Sequence, residues 1–326
     1  MRLKTGELQT EDRNQMTRTT AQRTFLALFM VGIVASTAVG QTDGDDGESR
    51  TLTTSDGWTI PINYLESKSG KESPVVILFP GVEGKKDSRT RKAWSGVAKA
   101  LNKKGFAVVT ADLRKHGDSV HISGTAKAVT KLLPADYTLM AAQDLSTIKN
   151  FLVTEHEKQK LNIRKLGIAT AGSGALISAG FAAVDWAQKP WPDSSVYSMR
   201  TPKGQDVRAL FWLSPESVVR GISTTTIMKT VGDPQKGIAA HIWYNPSQRK
   251  EKASAEKLWN YLDPKDEQYD SVRKLNAGHE GPASEYSAEA FLEGRSAPVM
   301  EGHIVKFFED NLKALEFPWK TRKSRL

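Results

Sequence analysis

The sequence of 326 residues contains no cysteine. That absence excludes a disulfide framework, a thiolate zinc site, an iron–sulfur cluster and a cysteine nucleophile. No apolar run is long enough to cross a bilayer: the longest, Phe25–Ala35, is well short of the ~20 residues a spanning helix needs. No two histidines stand four residues apart and no carboxylate cluster resembles a metal cage, so neither a metal ion nor any other cofactor is expected. Aromatic residues do not interleave with the basic ones, which argues against a nucleic-acid partner. What is present is hydrophobic periodicity through most of the chain, which excludes disorder as the main state. The net charge of +9 is moderate for this length, and it permits an anionic partner without demanding one.

Arg18 and Arg23, then Phe25–Ala35, then Ala38-Val39-Gly40 give charge, apolar run and small-residue exit in the order of a secretory signal peptide. Glu7, Glu11 and Asp12 stand where such a leader wants positive charge, so the leader is read as starting at Met16 and ending at Gly40. The expectation is a bacterial protein that is secreted or periplasmic, with no stable membrane span once the leader is cleaved; the alternative is that the segment stays as an uncleaved N-terminal anchor. Residues 41–50 form an acidic, glycine-bearing linker, one domain covers 51–318, and a basic tail of solvated character covers 319–326.

Within the domain, Thr51–Thr54 and Trp58–Tyr64 flank Ser55-Asp56-Gly57, and the Asp-Gly step predicts a hairpin. Strands are predicted at 74–79, 106–111, 165–170, 207–213, 239–244 and 271–275. Helices are predicted at about 90–103, 136–153, 175–184, 252–262 and 299–315. Residues 185–206 read as an irregular insertion. Strands alternating with helices give an α/β fold, with a mostly parallel, mixed sheet covered by helices on both faces.

Three local signals sit in this layout. Phe79-Pro80-Gly81-Val82-Glu83-Gly84 follows the first buried strand. Asp112-Leu113-Arg114-Lys115-His116-Gly117-Asp118-Ser119 follows the next, in a D-x-R-x-H-G-x-S pattern. Leu166–Ile177 occupies the place of a strand–turn–helix. In these the chain resembles the α/β-hydrolase superfamily, in its dienelactone-hydrolase and serine-esterase branch, as a degenerate member. The resemblance covers nearly all of the chain after the leader. It implies a nucleophile elbow after the 165–170 strand, an oxyanion hole beside it, and an acid and a histidine after the last two strands.

Two registers fit the elbow. In Thr170-Ala171-Gly172-Ser173-Gly174, Gly172 takes the nucleophile's seat, where glycine adopts the strained turn without steric cost and leaves no oxygen. In Ala171-Gly172-Ser173-Gly174-Ala175, Ser173 is the nucleophile. The strand lead-in Leu166, Ile168 is in phase with the first register, which is favoured. Asn245-Pro246-Ser247-Gln248-Arg249 offers no carboxylate where the family places its acid, and Glu216, Asp263 and Asp266 are the substitutes. His279 stands after the last strand, where the family places its base. The favoured reading is an exported protein that has lost catalysis and binds a ligand in the remaining cleft. The alternative is a serine esterase with Ser173 as nucleophile, His279 as base and Glu216 as the orienting acid. The N–H groups of Val82 and Ser173 are the expected oxyanion or anion donors. Lys85, Lys86, Arg89 and Arg114, with Lys115, are expected to form a basic rim, so the ligand is read as a small molecule or glycan of anionic character.

Overall fold

The computed structural model describes residues 46–82, 90–263, 265–270, 272–278 and 287–326. The expected leader, Lys85, Lys86, Arg89 and His279 lie outside the described residues. Among the described residues, eight strands follow one another as β1 (Glu48–Thr53), β2 (Thr59–Leu65), β3 (Val75–Phe79), β4 (Ala107–Ala111), β5 (Leu166–Ala171), β6 (Val207–Leu213), β7 (Ala239–Tyr244) and β8 (Arg273–Ala277). Between and after them come α1 (Ser95–Lys103), α2 (Pro134–Leu139), α3 (Leu145–Glu157), α4 (Gly174–Ala187), α5 (Thr224–Val231), α6 (Arg249–Leu262) and α7 (Ala297–Phe308).

All eight strands join one sheet in the order β1-β2-β4-β3-β5-β6-β7-β8. The first two pairings, β1/β2 and β2/β4, are antiparallel, and those from β4/β3 onward are parallel. The mostly parallel mixed sheet expected from the sequence is thus found. Its continuous apolar strands follow from burial on both faces: Val75, Ile77 and Phe79 enter one core, and Val76 and Leu78 enter the other. Val97 and Leu101 of α1 pack with Ile304 and Phe308 of α7 on the second face. Leu145, Ile148 and Leu152 of α3, Leu176 of α4, Met228 of α5 and Leu258 of α6 cover the first. Each such side chain contributes about 1.5–3 kcal/mol by leaving water.

Four details differ from the sequence reading. The helix expected over 136–153 is two, joined by a wide turn at Met140–Asp144 that delivers the Asp144 carboxylate to the protein interior. The last strand starts two residues later than expected, at Arg273. Helix α5 was not expected, because Thr224, Thr225 and Thr226 open it and β-branched residues are poor helix formers; burial of Met228 and Val231 against the core holds it.

The fourth is the basic tail, which is docked rather than solvated. Asn162 Nδ2 donates to Phe317 O at 2.8 Å and Arg164 Nη1 to Pro318 O at 2.7 Å. Trp319 stacks on His156 at 4.8 Å and donates Nε1 to the His156 carbonyl. Arg322 pairs with the buried Asp206, and its backbone N–H donates to Glu157. Carboxylates waiting at the N-terminal edge of the sheet draw the positive segment onto the body.

Candidate functional site

Strands β3 to β8 point their C-terminal ends at one edge of the sheet, the place where open α/β sheets hold their ligands. The sharpest turn there joins β5 to α4. Gly172 takes the left-handed conformation with φ +53°, whereas Ser173 has φ −64° and ψ −22° and begins the helix. A Cβ on Gly172 would come no nearer a neighbour than 3.9 Å, from Gly81 Cα. Gly174 has no such room: a Cβ there would run into the Thr170 hydroxyl, which fills the gap between strand and helix. The local pattern is therefore Thr170 and Gly174 framing a left-handed Gly172. Its backbone is held from β6, as Gly172 N donates to Leu213 O at 3.0 Å and Gly172 O accepts from Glu216 N at 3.0 Å.

Ser173 turns away from this seat. It is 2 % exposed, and its Oγ accepts from Val82 N at 2.9 Å while donating to Val82 O at 2.8 Å. The hydroxyl's proton is thus committed to a backbone carbonyl. The same contact consumes the Val82 N–H, which the sequence suggested as an oxyanion donor. One residue earlier, Gly81 N–H donates to Oε1 of the buried Glu289 at 2.5 Å. Among the described residues of the loop after β3, the backbone donors of Gly81 and Val82 are both met from inside the chain. An oxyanion hole works by aiming free donors at developing charge, and these two are already engaged.

A cleft of about 350 Å³ opens over Gly172. Glu216, Lys250 and Ser287 line it with exposed side chains, and the buried Ser217 and half-buried Ser254 line it too. It also holds the carboxylate of Glu251, in the first turn of α6. Glu251 Oε2 accepts from Ser214 Oγ at 2.7 Å and from Asn245 N at 3.1 Å, directly beyond the end of β7. Ser214 is itself left-handed, with φ +43°, and its Oγ accepts from Ala288 N at 3.0 Å. Sequence reasoning passed over Glu251, although an acidic residue at the start of a helix that follows β7 was a readable signal. Glu289 carried no local signal, since only the fold brings it to Gly81.

The loop after β4 is built differently. Asp112, fully buried, accepts from Arg91 N at 2.7 Å and from Asp118 N at 3.1 Å, and pairs with the Arg91 guanidinium. Burial works against the charge on Arg91, and Asp112 and Asp118 more than offset it, holding its pKa above the usual value. Ser119 Oγ donates to Thr59 O and accepts from Trp58 Nε1. Gly117 is left-handed, and a Cβ there would strike the Asp112 carboxylate.

Arg114 was expected at the rim of the cleft. It is instead 2 % exposed, holds Asp144 through Nε (2.9 Å) and Nη2 (2.7 Å), and reaches Asp56 with Nη1 (2.8 Å). Lys115 is likewise committed, to Asp136 at 2.8 Å and to the Trp58 ring face. The buried Asp144 holds Arg114 and the buried Asp136 holds Lys115, so neither residue forms part of a basic rim. Among the described residues no group of three His, Asp or Glu side chains could hold a metal ion, and no helix is long and apolar enough to cross a membrane.

No protein-family model matches the sequence, and no curated protein does. Solved structures do resemble the fold. The esterase Pf2001 of Pyrococcus furiosus superposes with a TM-score of 0.53 at 12% identity, over 81% of this chain and 90% of that one. DcsB, solved in complex with its substrate analogue, gives 0.52 at 15% identity, over 81% and 98%. Esterase 2 of Thermogutta terrifontis, phosphoramylated by tabun, gives 0.52 at 11% identity, over 81% and 94%. The strand order, the sharp turn after β5 and these likenesses together establish that the chain has the α/β-hydrolase fold.

Proposed function

We propose that this protein keeps the hydrolase scaffold without its chemistry and acts by binding a ligand in the cleft over Gly172. One observation carries the reading. The left-handed seat holds a glycine, and the neighbouring hydroxyl, on Ser173, is tied in both directions to the Val82 backbone. A nucleophile must present its oxygen to substrate and hand its proton to a base. Here the seat has no oxygen, and the oxygen beside it has no exposed face.

The ligand is a small polar molecule or glycan. Ser217, Ser254 and Ser287 offer hydroxyls along the cleft, and Lys250 adds a cation. The anionic character we assign to it rests on the sequence run Lys85, Lys86, Arg89, without the contribution once expected from Arg114. The charge-and-apolar pattern of residues 18–40 supports export, so we place the binding outside the cytoplasm, in a secreted or periplasmic protein. The test is paired. Turnover of p-nitrophenyl acetate and butyrate should not exceed the buffer rate, and acidic oligosaccharides should bind at least tenfold more weakly to a Lys85, Lys86, Arg89 triple-alanine variant. Ester turnover abolished in Ser173→Ala would replace this reading with a serine esterase. Binding unchanged in the triple variant would remove its anionic part.

A further inference from the structure

Residues 188–206, the part of the expected insertion that follows α4, run from the end of that helix to the start of β6. They therefore lie at the edge of the sheet opposite the cleft over Gly172. The segment carries an apolar ridge. Val196, Tyr197 and Met199 are 51%, 66% and 56% exposed, and they are three of the nine large apolar side chains exposed among the described residues. Such side chains scattered singly are ordinary, whereas three within four residues make a patch. The ridge is braced from behind, so its side chains are held out into water. Thr201 N donates to Asp193 Oδ1 at 2.9 Å, Trp191 N to Thr201 O at 2.9 Å, and Arg200 Nε to Ser194 O at 2.8 Å. The docked tail adds Arg325, which donates its backbone N–H to Asp193 Oδ2 at 3.1 Å and a guanidinium N–H to the Met199 carbonyl.

Exposed charge on these two segments is of one sign. Lys189, Lys203, Lys323 and Arg325 are exposed. Across 188–205 and 319–326 the one acidic residue is Asp193, and its side chain is buried beneath the bonds just described. Glu157 and Asp206, which hold the tail, are themselves bonded to Thr321 and Arg322. Cations also stand against the aromatic rings: the Arg200 guanidinium is 5.5 Å from the centre of the Tyr197 ring, and the Lys203 ammonium is 4.6 Å from that of Trp191. A soluble polyanion would use the cations and leave the ridge in water. A second copy of the chain would bring like charges together. An anionic bilayer rewards both features at once, because apolar side chains enter the acyl boundary while cations stay among the lipid phosphates. Tyr and Trp are the residue types that settle at that level.

We infer that residues 188–206 and the docked tail form a platform that seats the protein on an anionic phospholipid surface. Val196, Tyr197 and Met199 enter the boundary between headgroups and acyl chains, and Lys203 and Lys323 meet the phosphates beside them. The ridge is ordered before it binds, which keeps the entropic cost of docking low. Three side chains and a few cations make this a peripheral, reversible contact rather than an anchor. The cleft over Gly172, at the other edge of the sheet, then faces away from the bilayer and stays open to solution.

Because the chain has no cysteine, a single introduced one reports on a single place. Ser198→Cys, in the ridge, and Ser123→Cys, further along the exposed chain after β4, are each labelled in the full chain with an environment-sensitive fluorophore. On addition of phosphatidylglycerol vesicles the label at position 198 should shift to the blue, and the label at position 123 should not. Phosphatidylcholine vesicles should be bound at least tenfold more weakly. In the Ser198→Cys background, Val196→Ser with Met199→Ser, and separately Lys203→Glu with Lys323→Glu, should each weaken binding at least tenfold with the thermal midpoint kept, since all four side chains are exposed. No shift at position 198, equal shifts at both positions, or equal binding to the two lipids would overturn the proposal. So would dextran sulfate bound as tightly as the vesicles and unaffected by the two serines, which would make the surface a polyanion site. Dimerisation without lipid, read by light scattering and abolished by the two serines, would overturn it too and make the ridge a contact between copies.

Discussion

The loops after β4 and β5 stand next but one to each other at the same edge of the sheet, and they preserve opposite things. After β4, the D-x-R-x-H-G-x-S pattern is intact, and the side chains of Asp112, Arg114 and Ser119 are buried and bonded to the protein itself. After β5, the turn keeps its left-handed geometry while the residue in the seat is a glycine. In the β4 loop the pattern residues therefore fasten the fold. The matched side chains do structural work there.

If the β4 loop is a fastener, breaking it should cost the most. Asp112→Ala leaves the Arg91 guanidinium and two backbone donors without their buried acceptor, and should destabilise the protein by about 3–5 kcal/mol, measured by urea unfolding. Acid should set the next largest effect, and it bounds the range in which the loops can be compared. Burial pushes His241, on β7, down to about 4 from 6.5. The folded state therefore disfavours its protonated form, so this contribution to stability is complete above pH 6.5 and is lost as pH falls toward 4. Its size is on the order of 3 kcal/mol, and His241→Leu should flatten the dependence in that window.

The β5 loop should be more forgiving. Ser173→Ala removes both bonds to Val82 and orphans a buried N–H, at a cost of about 1–3 kcal/mol, again read by urea unfolding. Gly172→Ser should cost only about 1–2 kcal/mol, the strain of a side chain in the left-handed region, because the space around Gly172 is open. A destabilisation larger than that of Asp112→Ala would reverse the contrast between the loops.

Much of the fold was legible because its signals are local. Val75–Phe79 and Val207–Leu213 read as buried strands from their unbroken apolar runs, and Ser55-Asp56-Gly57 read as a turn. Thr224–Val231 hid because three threonines mask a helix that only tertiary packing stabilises. The site was legible as far as its backbone: the sequence marked Gly172 and Ser173 as the two candidates for the seat. It could not show that Ser173 Oγ reaches Val82, or that Glu289 reaches Gly81, since those partners lie far apart in sequence. Arg114 misled for the same reason. A charged residue in a loop reads as a rim, and its burial depends on Asp144, brought in by the wide turn that separates α2 from α3.

The central claim is that the elbow carries no reactive oxygen. Its most direct test is incubation of the folded, purified protein with a fluorophosphonate probe, read by intact mass beside the Ser173→Ala variant. The account predicts no adduct on either protein. A single adduct on the natural sequence that disappears in Ser173→Ala would contradict it.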